Sequence, residues 1–410
     1  MARYVLAYSG GLDTSVILKW LQVEHGAEVV TVTVDLGQRE EIVGLREKAT
    51  ASGAYRVVVD DLRDEFVDGY LWPSLRAGAL YQGVYPMATA LGRPLIAKRL
   101  VEVAREVGAD AVVHGCTGKG NDQVRLEVGV GTLAPELRTI APLREWPMRT
   151  REQEIAWARE HGVPVAATKE SPYSIDENLW GVAIECGALE DPWAAPPADC
   201  WRMTSAPERA PDAPEEITID FEEGLPVALD GVTLDGKTLI ARLNEKAGAH
   251  GVGRIDMVED RLVGIKSREV YEAPAALTLH AAREALEQIT LDRETRRVKQ
   301  ELAPQLARLI YDGLWFSPLR GAIQAFMDES VKPVTGAVRV ALHKGKATPV
   351  GRRSPFSLYD HGLATYGDGD AFRHASAPGF IELFGLGART ASRVRGRRAD
   401  REPVAAGDQR

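Results

Sequence analysis

The segment Ala7-Tyr-Ser-Gly-Gly-Leu-Asp-Thr-Ser15 decides the fold of the first part of the chain. Residues 3–8 before it predict a short buried strand, and residues 14–24 after it have the apolar spacing of a helix. Its two adjacent glycines let the backbone approach a ligand, while three hydroxyl side chains add donors at the positive end of the helix. The segment therefore predicts a phosphate-binding loop, in preference to a turn that needs glycine only for its geometry.

Two better-known phosphate loops do not match this segment. It has neither the Gly-x-x-x-x-Gly-Lys-Ser/Thr spacing nor the Gly-x-Gly-x-x-Gly spacing. It resembles the Ser-Gly-Gly-x-Asp-Ser/Thr signature of the pyrophosphatase-loop ATP enzymes. That resemblance implies cleavage of ATP between its α- and β-phosphates, whereas the spacing alone indicates only a bound phosphate.

Strands and helices alternate through the first 165 residues. Further strands are predicted over residues 28–35, 55–60 and 110–114. Helices are predicted over about residues 39–52, from Pro94 to Gly108, and from a capping box of Thr150 and Gln153 to about Gly162. This alternation predicts an α/β fold with a doubly wound parallel sheet, in which ligands bind beyond the carboxyl ends of the strands. We assign residues 1–165 to this nucleotide-binding domain.

The pattern changes after residue 165. Six prolines between residues 191 and 214 predict an irregular connection. Beyond them, residues 217–229 and 338–350 read as hairpins, while residues 238–247 and about 275–312 read as helices, the second interrupted near Pro304. We assign residues 166–370 to an α+β synthetase domain. Residues 371–410 are predicted to be a C-terminal arm with an oligomerisation helix and a frayed end.

Composition narrows the functional class. The 410 residues include 50 basic and 59 acidic side chains, a net charge of −9, which disfavours a nucleic-acid partner. Met1 runs directly into the first strand, without a signal peptide or a membrane-spanning apolar run. The spacing of Cys116, Cys186 and Cys200 fits no zinc pattern. We expect a cytoplasmic protein with no membrane partner.

A second glycine-rich segment, His114-Gly-Cys-Thr-Gly-Lys-Gly-Asn-Asp-Gln-Val-Arg125, follows the predicted strand at 110–114. It combines glycines, a hydroxyl, an amide, an acid and two cations, a mixture suited to a small zwitterion. Together with the first loop it resembles the argininosuccinate synthase family. The resemblance continues, in chain order, through Tyr85–Lys98, Ser171–Trp180, Leu189–Trp193, Gly251–Arg261, Lys266–Pro274, Tyr311–Pro318 and Val334–Gly336.

The resemblance implies a carbon–nitrogen ligase of arginine biosynthesis. The ureido oxygen of L-citrulline would attack the α-phosphate of ATP, which is a substrate accompanied by Mg²⁺, and pyrophosphate would leave. The amine of L-aspartate would then displace AMP to form argininosuccinate. The resemblance also implies a homotetramer with exchanged C-terminal helices.

The same resemblance assigns residues to each substrate. Those assigned to ATP are Ala7, Tyr8, Ser9, Gly10, Gly11, Leu12, Asp13, Thr14, Ser15, Val34 and Gly115. Those assigned to aspartate are Thr117, Asn121 and Asp122. Those assigned to citrulline are Tyr85, Asn121, Arg125, Ser174, Glu259 and Tyr271.

Three points stay open at this stage. The base that deprotonates the aspartate ammonium is either Asp122, which we take as the catalytic candidate, or a phosphate oxygen. Asp13 either positions magnesium or braces the loop, and no protein ligand to the metal is assigned. Ala90 and Ala183 stand where the family often has serine, so neither is placed in the site.

Overall fold

The computed structural model describes residues 1–38, 42, 44–148, 150–164 and 173–399. The chain divides into two compact units, Met1–Leu358 and a second that begins at Tyr359, and each is described by itself. The boundary that we predict at residues 165 and 166 lies outside the described residues. The predicted start of the C-terminal arm at residue 371 stays a prediction.

A five-stranded parallel sheet forms the N-terminal part of the first unit. Its strands are β1 Arg3–Ala7, β2 Glu28–Asp35, β3 Arg56–Asp61, β4 Ala111–Val113 and β5 Arg138–Ile140. They lie in the order β3-β2-β1-β4-β5, so the order reverses between β1 and β4. The predicted doubly wound sheet is confirmed. The loops after β1 and β4 flank the crevice where such sheets bind ligands.

Seven α-helices accompany this sheet in the part of the chain that the structure describes. They are α1 Leu12–His25, α2 Leu45–Ala51, α3 Arg63–Phe66, α4 Trp72–Ala77, α5 Ala88–Val107, α6 Asp122–Leu133 and α7 Arg151–Glu160. The π-helical turn Val67–Leu71 joins α3 to α4. The predicted capping box of Thr150 and Gln153 is present at the start of α7. Of the helix predicted over 39–52, residues 39–41 and 43 lie outside the described residues.

The prediction that a helix begins at Pro94 is wrong. The helix α5 begins at Ala88, and Pro94 lies inside it. An internal proline removes one backbone hydrogen bond. Here the flanking side chains of Leu91 and Leu95 are buried in the main core, and this packing outweighs the local preference of proline for a first turn.

Two antiparallel sheets follow. Their strands are β6 Ser174–Asn178, β7 Gly181–Glu185, β8 Glu215–Glu222, β9 Leu225–Leu229, β10 Val232–Thr233, β11 Arg254–Asp260, β12 Lys266–Glu272, β13 Gly336–His343 and β14 Lys346–Arg353. One sheet has the order β11-β12-β7-β6, and the other β10-β9-β8-β13-β14. Both predicted hairpins form, as β8–β9 and β13–β14. Residues 191–214, all of them described, contain neither helix nor strand, as predicted.

Four helices pack with these sheets among the described residues: α8 Gly236–Ala249, α9 Pro274–Thr290, α10 Arg293–Tyr311 and α11 Pro318–Ser330. The predicted interruption near Pro304 is wrong, because Pro304 lies inside α10. The break falls instead at Leu291 and Asp292. The Asp292 carboxylate caps α10 by accepting hydrogen bonds from the amides of Glu294 and Thr295 at 3.0 and 3.1 Å.

The parallel sheet has a buried cluster on each face. Val5 of β1 belongs to the main core, which continues through α5, α9 and β13, while Leu6 belongs to a smaller cluster with residues of α1 and α7. Successive strand residues point to opposite faces, so one strand supplies both clusters. With both faces covered, ligand access is confined to the edge where the strands end.

The second unit contains three short helices among its described residues: α12 His361–Ala364, α13 Ala377–Phe384 and α14 Leu386–Ala399. The apolar side chains of Phe380 and Leu383 on α13 are 64% and 74% exposed. Across both units, none of the described helices is long and apolar enough to cross a bilayer.

A buried ion triad joins α9 to α10, and we expect it to stabilise the first unit. Glu287 is paired with Arg283 and, at 2.9 Å, with Lys299, and each side chain is no more than 7% exposed. We expect Glu287→Ala to lower the free energy of unfolding by about 3–5 kcal/mol, because it leaves two cations buried without an anion.

The measurement is denaturant unfolding followed by tryptophan fluorescence. The matched control is Glu301→Ala, which breaks the exposed pair with Arg297 and should cost about 0–1 kcal/mol. Equal losses in the two variants would show that the triad is not a stabilising centre.

Candidate active site

One cavity of about 510 Å³ lies beyond the carboxyl ends of β1 and β4 and reaches the sheet β11-β12-β7-β6. The sequence-predicted residues that line it are Ala7, Tyr8, Ser9, Thr14, Val34, Tyr85, Gly115, Thr117, Asn121, Asp122, Arg125, Ser174, Glu259 and Tyr271. The predicted residues that do not line it are Gly10, Gly11, Leu12, Asp13 and Ser15. Residues assigned to three substrates from distant parts of the sequence thus share one space.

The first loop needs glycine at position 10. Gly10 has a φ of +77°, and a Cβ atom there would collide with the Leu45 side chain. The Lys48 ammonium of α2 donates a hydrogen bond to the Gly10 carbonyl. These contacts fix the loop against α2 just before α1 begins.

The hydroxyl groups of this loop divide into two sets. Ser9 Oγ and Thr14 Oγ1 lie 3.2 Å apart on the cavity side. Ser15 Oγ donates to the Gly11 carbonyl at 2.8 Å and lies 3.1 Å from the Tyr8 hydroxyl. Ser9 and Thr14 are therefore placed to meet a ligand, whereas the Ser15 hydroxyl stabilises the turn.

The helix α1 begins directly after this turn. Among the described residues, no side chain caps its N-terminus, because Gly11 occupies the N-cap position. The first amides of a helix lack intrahelical acceptors. The end of α1 therefore presents N–H groups and the positive end of the helix dipole to an anion.

Asp13 points towards α7. Glu154 shares a hydrogen bond with Asp13, and burial together with the Asp13 charge raises the pKa of Glu154 to about 7. Over the described parts of the chain, no group of three or more His, Cys, Asp or Glu side chains is arranged to hold a metal ion. Asp13 and Glu154 form a pair of carboxyl groups beside the phosphate loop.

The second loop is anchored by His114. Its Nδ1 accepts a hydrogen bond from the Cys116 amide at 3.2 Å, so its Nε2 carries the proton and donates to Glu127 at 3.1 Å. Arg144 in turn pairs with Glu127. Burial, helped by the Arg144 charge, lowers the pKa of His114 to about 4, so it stays neutral and keeps this tautomer above that pH.

Asp122 and Arg125 lie one helical turn apart at the start of α6. Arg125 donates to one oxygen of Asp122 at 2.8 Å, and Arg93 of α5 donates to the other at 2.7 Å. Arg93 also pairs with Asp176 of β6. This network links α5 and α6 to the four-stranded sheet.

These contacts bear on Asp122 as a base. Burial alone would raise its pKa, but the Arg93 and Arg125 guanidinium groups outweigh burial and lower it to about 2. A carboxylate with this pKa takes up a proton poorly at neutral pH. The geometry favours Asp122 as an anion that binds a cationic group, and disfavours the general-base role that we considered for it.

The four-stranded sheet presents one face to the cavity. Residues two apart on a strand share a face, and this alternation brings Glu269 and Tyr271 of β12 to the cavity. The edge strand β6 lines the cavity along its whole length, including Ser174 and Asp176. Tyr271 pairs in register with Ala183 of β7, which also lines the cavity. Ala90 is buried in α5 and is not among the lining residues.

Glu259 lies at the centre of a buried hydrogen-bond network. Its carboxylate accepts from the hydroxyl groups of Tyr271 at 2.7 Å and Tyr311 at 2.6 Å. Asn121 Nδ2 donates to the Tyr311 oxygen at 2.7 Å, and Tyr85 stacks on Tyr271 with ring centroids 3.8 Å apart. The residues assigned to citrulline are therefore connected to one another, except for Ser174 at the exposed rim.

The sequence analysis did not single out several residues of this cavity. Arg93, Asp176, Glu269 and Tyr311 all lie within the segments that carried the family resemblance. For two of them a signal was present, because Asp176 and Glu269 each lie two strand positions from a predicted site residue. Arg93 and Tyr311 reach the site through tertiary contacts that no local spacing encodes.

With this geometry established, we compared the chain with known proteins. The family model "Arginosuccinate synthase N-terminal HUP domain" matches residues 3–164, and "Arginosuccinate synthase C-terminal domain" matches residues 173–391. The chain belongs to the argininosuccinate synthase family. It is 57% identical to an argininosuccinate synthase of Chlorobaculum tepidum over 389 residues, 95% of this chain and 97% of the relative. It is 56% identical to one of Chlorobium phaeobacteroides over 392 residues, 96% of this chain and 98% of the relative.

Membership of the argininosuccinate synthase family confirms the resemblance found in the sequence. The two matched segments also enclose the cavity from both sides. The N-terminal match includes both glycine-rich loops and α5, and the C-terminal match includes the sheet that carries Ser174, Glu259 and Tyr271. The roles of the individual residues remain to be proposed from their contacts.

Proposed function

We propose that this chain joins L-citrulline to L-aspartate in an ATP-dependent reaction that releases AMP and pyrophosphate, as a step of arginine biosynthesis. Family membership at high coverage supports this ligase activity. One observation carries the site assignment: a phosphate-type loop, a buried carboxylate network and a paired Asp–Arg cluster open into one cavity. A ligase of two amino acids needs all three groups within reach of the same reacting atoms.

ATP is proposed to occupy the end of the cavity next to the parallel sheet. Ser9, Thr14 and the amides at the start of α1 would bind its phosphates. The adenosine would extend along Ala7 and Val34, apolar residues at the ends of β1 and β2 that line the same cavity. Gly115 lines the same cavity and packs closely on α1, since a Cβ atom there would approach the side chains of Ile17 and Thr14 to 3.1 and 3.3 Å.

Citrulline is proposed to lie against the four-stranded sheet. The Glu259 carboxylate is the anion suited to its α-ammonium group, and Arg125 suits its carboxylate. The stacked rings of Tyr85 and Tyr271 would pack along its methylene chain. The ureido group would then point towards the phosphates, so its oxygen can attack the α-phosphorus as the bond to the pyrophosphate oxygen breaks.

Aspartate is proposed to bind beside the second loop, at Thr117, Asn121 and Asp122. The Asp122 carboxylate, held as an anion between Arg93 and Arg125, would attract and orient the aspartate ammonium. Once that nitrogen has lost a proton, it attacks the ureido carbon, and AMP leaves with the former ureido oxygen. A phosphate oxygen is the proposed acceptor for the proton, because the charges of Arg93 and Arg125 lower the pKa of Asp122.

Mg²⁺ is proposed to accompany ATP and to neutralise charge on its phosphates when bound. Asp13 and Glu154 lie together beside the phosphate loop but do not line the cavity, so no protein ligand to this cation is assigned.

The chain is proposed to act as a cytoplasmic homotetramer. The exposed Phe380, Ile381, Leu383 and Phe384 of α13 form an apolar surface of the kind that subunit interfaces cover. All three cysteines are free, which suits a reducing compartment. No nucleic-acid or membrane partner is proposed.

The activity is tested by pyrophosphate release from ATP. We expect release to require citrulline, with AMP and argininosuccinate accumulating in equal amounts when aspartate is added. Omission of citrulline and replacement of aspartate by glutamate are the controls. AMP formation that depends on a different acceptor would contradict the proposed function.

The role of Asp122 is tested by Asp122→Asn. We expect the KM for aspartate to rise about tenfold or more, because a hydrogen bond to a charged group contributes ~1.5–3 kcal/mol. Citrulline-dependent exchange of pyrophosphate into ATP, measured without aspartate, should fall much less. Glu136→Gln, at an exposed ion pair, is the control. An equal loss of both half-reactions would assign Asp122 to the adenylation step instead.

A further inference from the structure

The hydroxyl group of Tyr271 lies between two carboxyl groups. Its oxygen is 2.7 Å from one oxygen of Glu259 and 2.7 Å from one oxygen of Glu269. Both distances are those of strong O–H···O hydrogen bonds. A phenol carries one proton, so it can donate to only one of the two carboxyl groups. The second short contact is attractive only if the carboxyl group there carries a proton and donates it to the Tyr271 oxygen.

The surrounding groups do not supply that second proton. The Tyr311 hydroxyl donates to the other oxygen of Glu259 at 2.6 Å, and Tyr311 itself accepts from Asn121. Arg261 donates to the other oxygen of Glu269 at 2.8 Å. Each carboxyl group thus has one oxygen that accepts a hydrogen bond from Tyr311 or Arg261 and one oxygen that faces the Tyr271 hydroxyl. Both short distances to Tyr271 are explained if Glu259 and Glu269 together carry one carboxyl proton.

The charges that face Glu259 agree with a shared proton. Burial and the Glu269 charge raise the pKa of Glu259 to about 7, against the hydrogen bonds from Tyr311 and Tyr271. Arg125, whose guanidinium group lies 4.7 Å from the centre of the Tyr311 ring, acts in the same direction as those hydrogen bonds.

The remaining neighbours of Glu259 and Glu269 add little net positive charge. Arg261 pairs with both Glu269 and Glu185, so part of its charge is already compensated by Glu185. The rings of Tyr81 and Tyr85 stack on Tyr311 and Tyr271 and bring no charge of their own at neutral pH. The pair Glu259 and Glu269 is therefore left with less positive charge than two ionised carboxylates need.

We propose that Glu269 is a positioning residue that acts on Glu259 through the Tyr271 hydroxyl, so that the empty site holds one shared proton and citrulline binding releases it. The inference rests on the proposed contact between Glu259 and the citrulline ammonium. In the empty site the shared proton offsets the negative charge of the two carboxyl groups. When citrulline binds, its ammonium group takes over this role and the proton is released. The balance is one citrulline bound and one proton released to solvent, with no change in covalent bonds.

The proposal makes citrulline affinity depend on pH. Glu259 is protonated below its pKa, so the enzyme must lose a proton before the ammonium can bind. The dissociation constant of citrulline should therefore rise about tenfold for each pH unit below about 7 and level off above pH 8. Glu269→Gln removes the second carboxylate but leaves Glu259 buried, so the pKa of Glu259 should fall and the citrulline affinity should vary less between pH 6 and pH 8 than in the wild type.

The test is titration calorimetry of the full chain with citrulline alone, so that the ionisation of ATP does not enter. Titrations at pH 6.5 in two buffers of different ionisation enthalpy count the protons released. We expect the wild type to release most of one proton, and Glu269→Gln to release clearly less. The control is Glu136→Gln, which removes a carboxylate from an exposed ion pair outside the cavity lining and should keep the proton release.

Each outcome separates the inference from the proposed function. If the wild type binds citrulline without releasing a proton, the shared proton is disproved while the ligase function stands. Unchanged proton release in Glu269→Gln would disprove the role of Glu269. A wild-type chain that binds no citrulline at either pH would overturn the proposed citrulline site, and the inference with it.

Discussion

The reversal of strand order between β1 and β4 is the constraint on which the site depends. On either side of it the chain leaves the sheet in opposite directions, and the two glycine-rich loops are left facing one crevice. Both faces of the sheet are covered by apolar clusters. The edge of the sheet is therefore where polar backbone can meet a ligand, and the four-stranded sheet bounds the same space from the other side.

Paired opposite charges organise the remainder of the cavity. Asp122 is held between two guanidinium groups and stays an anion, whereas Glu259 accepts hydrogen bonds from two phenol hydroxyls and lies close to Glu269. These two carboxyl groups in one cavity thus have different pKa values, because guanidinium groups surround one and burial beside a second carboxyl group governs the other.

Local patterns predicted much of this fold. The β-branched residues of β2 matched the observed strand, the capping box at Thr150 formed, and both C-terminal hairpins appeared. The errors fell at Pro94 and Pro304, where burial of a helix face outweighs the cost of an internal proline. The local sequence shows that a proline destabilises a helix, but it does not show the tertiary packing that offsets this destabilisation.

The site assignments came from the family resemblance and stay predictions, although most of the assigned residues line one cavity. Arg93 was missed although it touches Asp122, because the contact joins α5 to α6 across the crevice. Ser15 was assigned to the phosphate, yet its hydroxyl is used within the turn. The partner that a polar side chain selects depends on tertiary geometry.

The proposed reaction requires the ureido oxygen of citrulline, bound at the four-stranded sheet, to reach the α-phosphate held at the parallel sheet. Citrulline labelled with ¹⁸O in the ureido group tests this most directly, with mass spectrometry of the products of one reaction. We expect AMP to carry the label and pyrophosphate to remain unlabelled. Unlabelled AMP, or label in pyrophosphate, would contradict it.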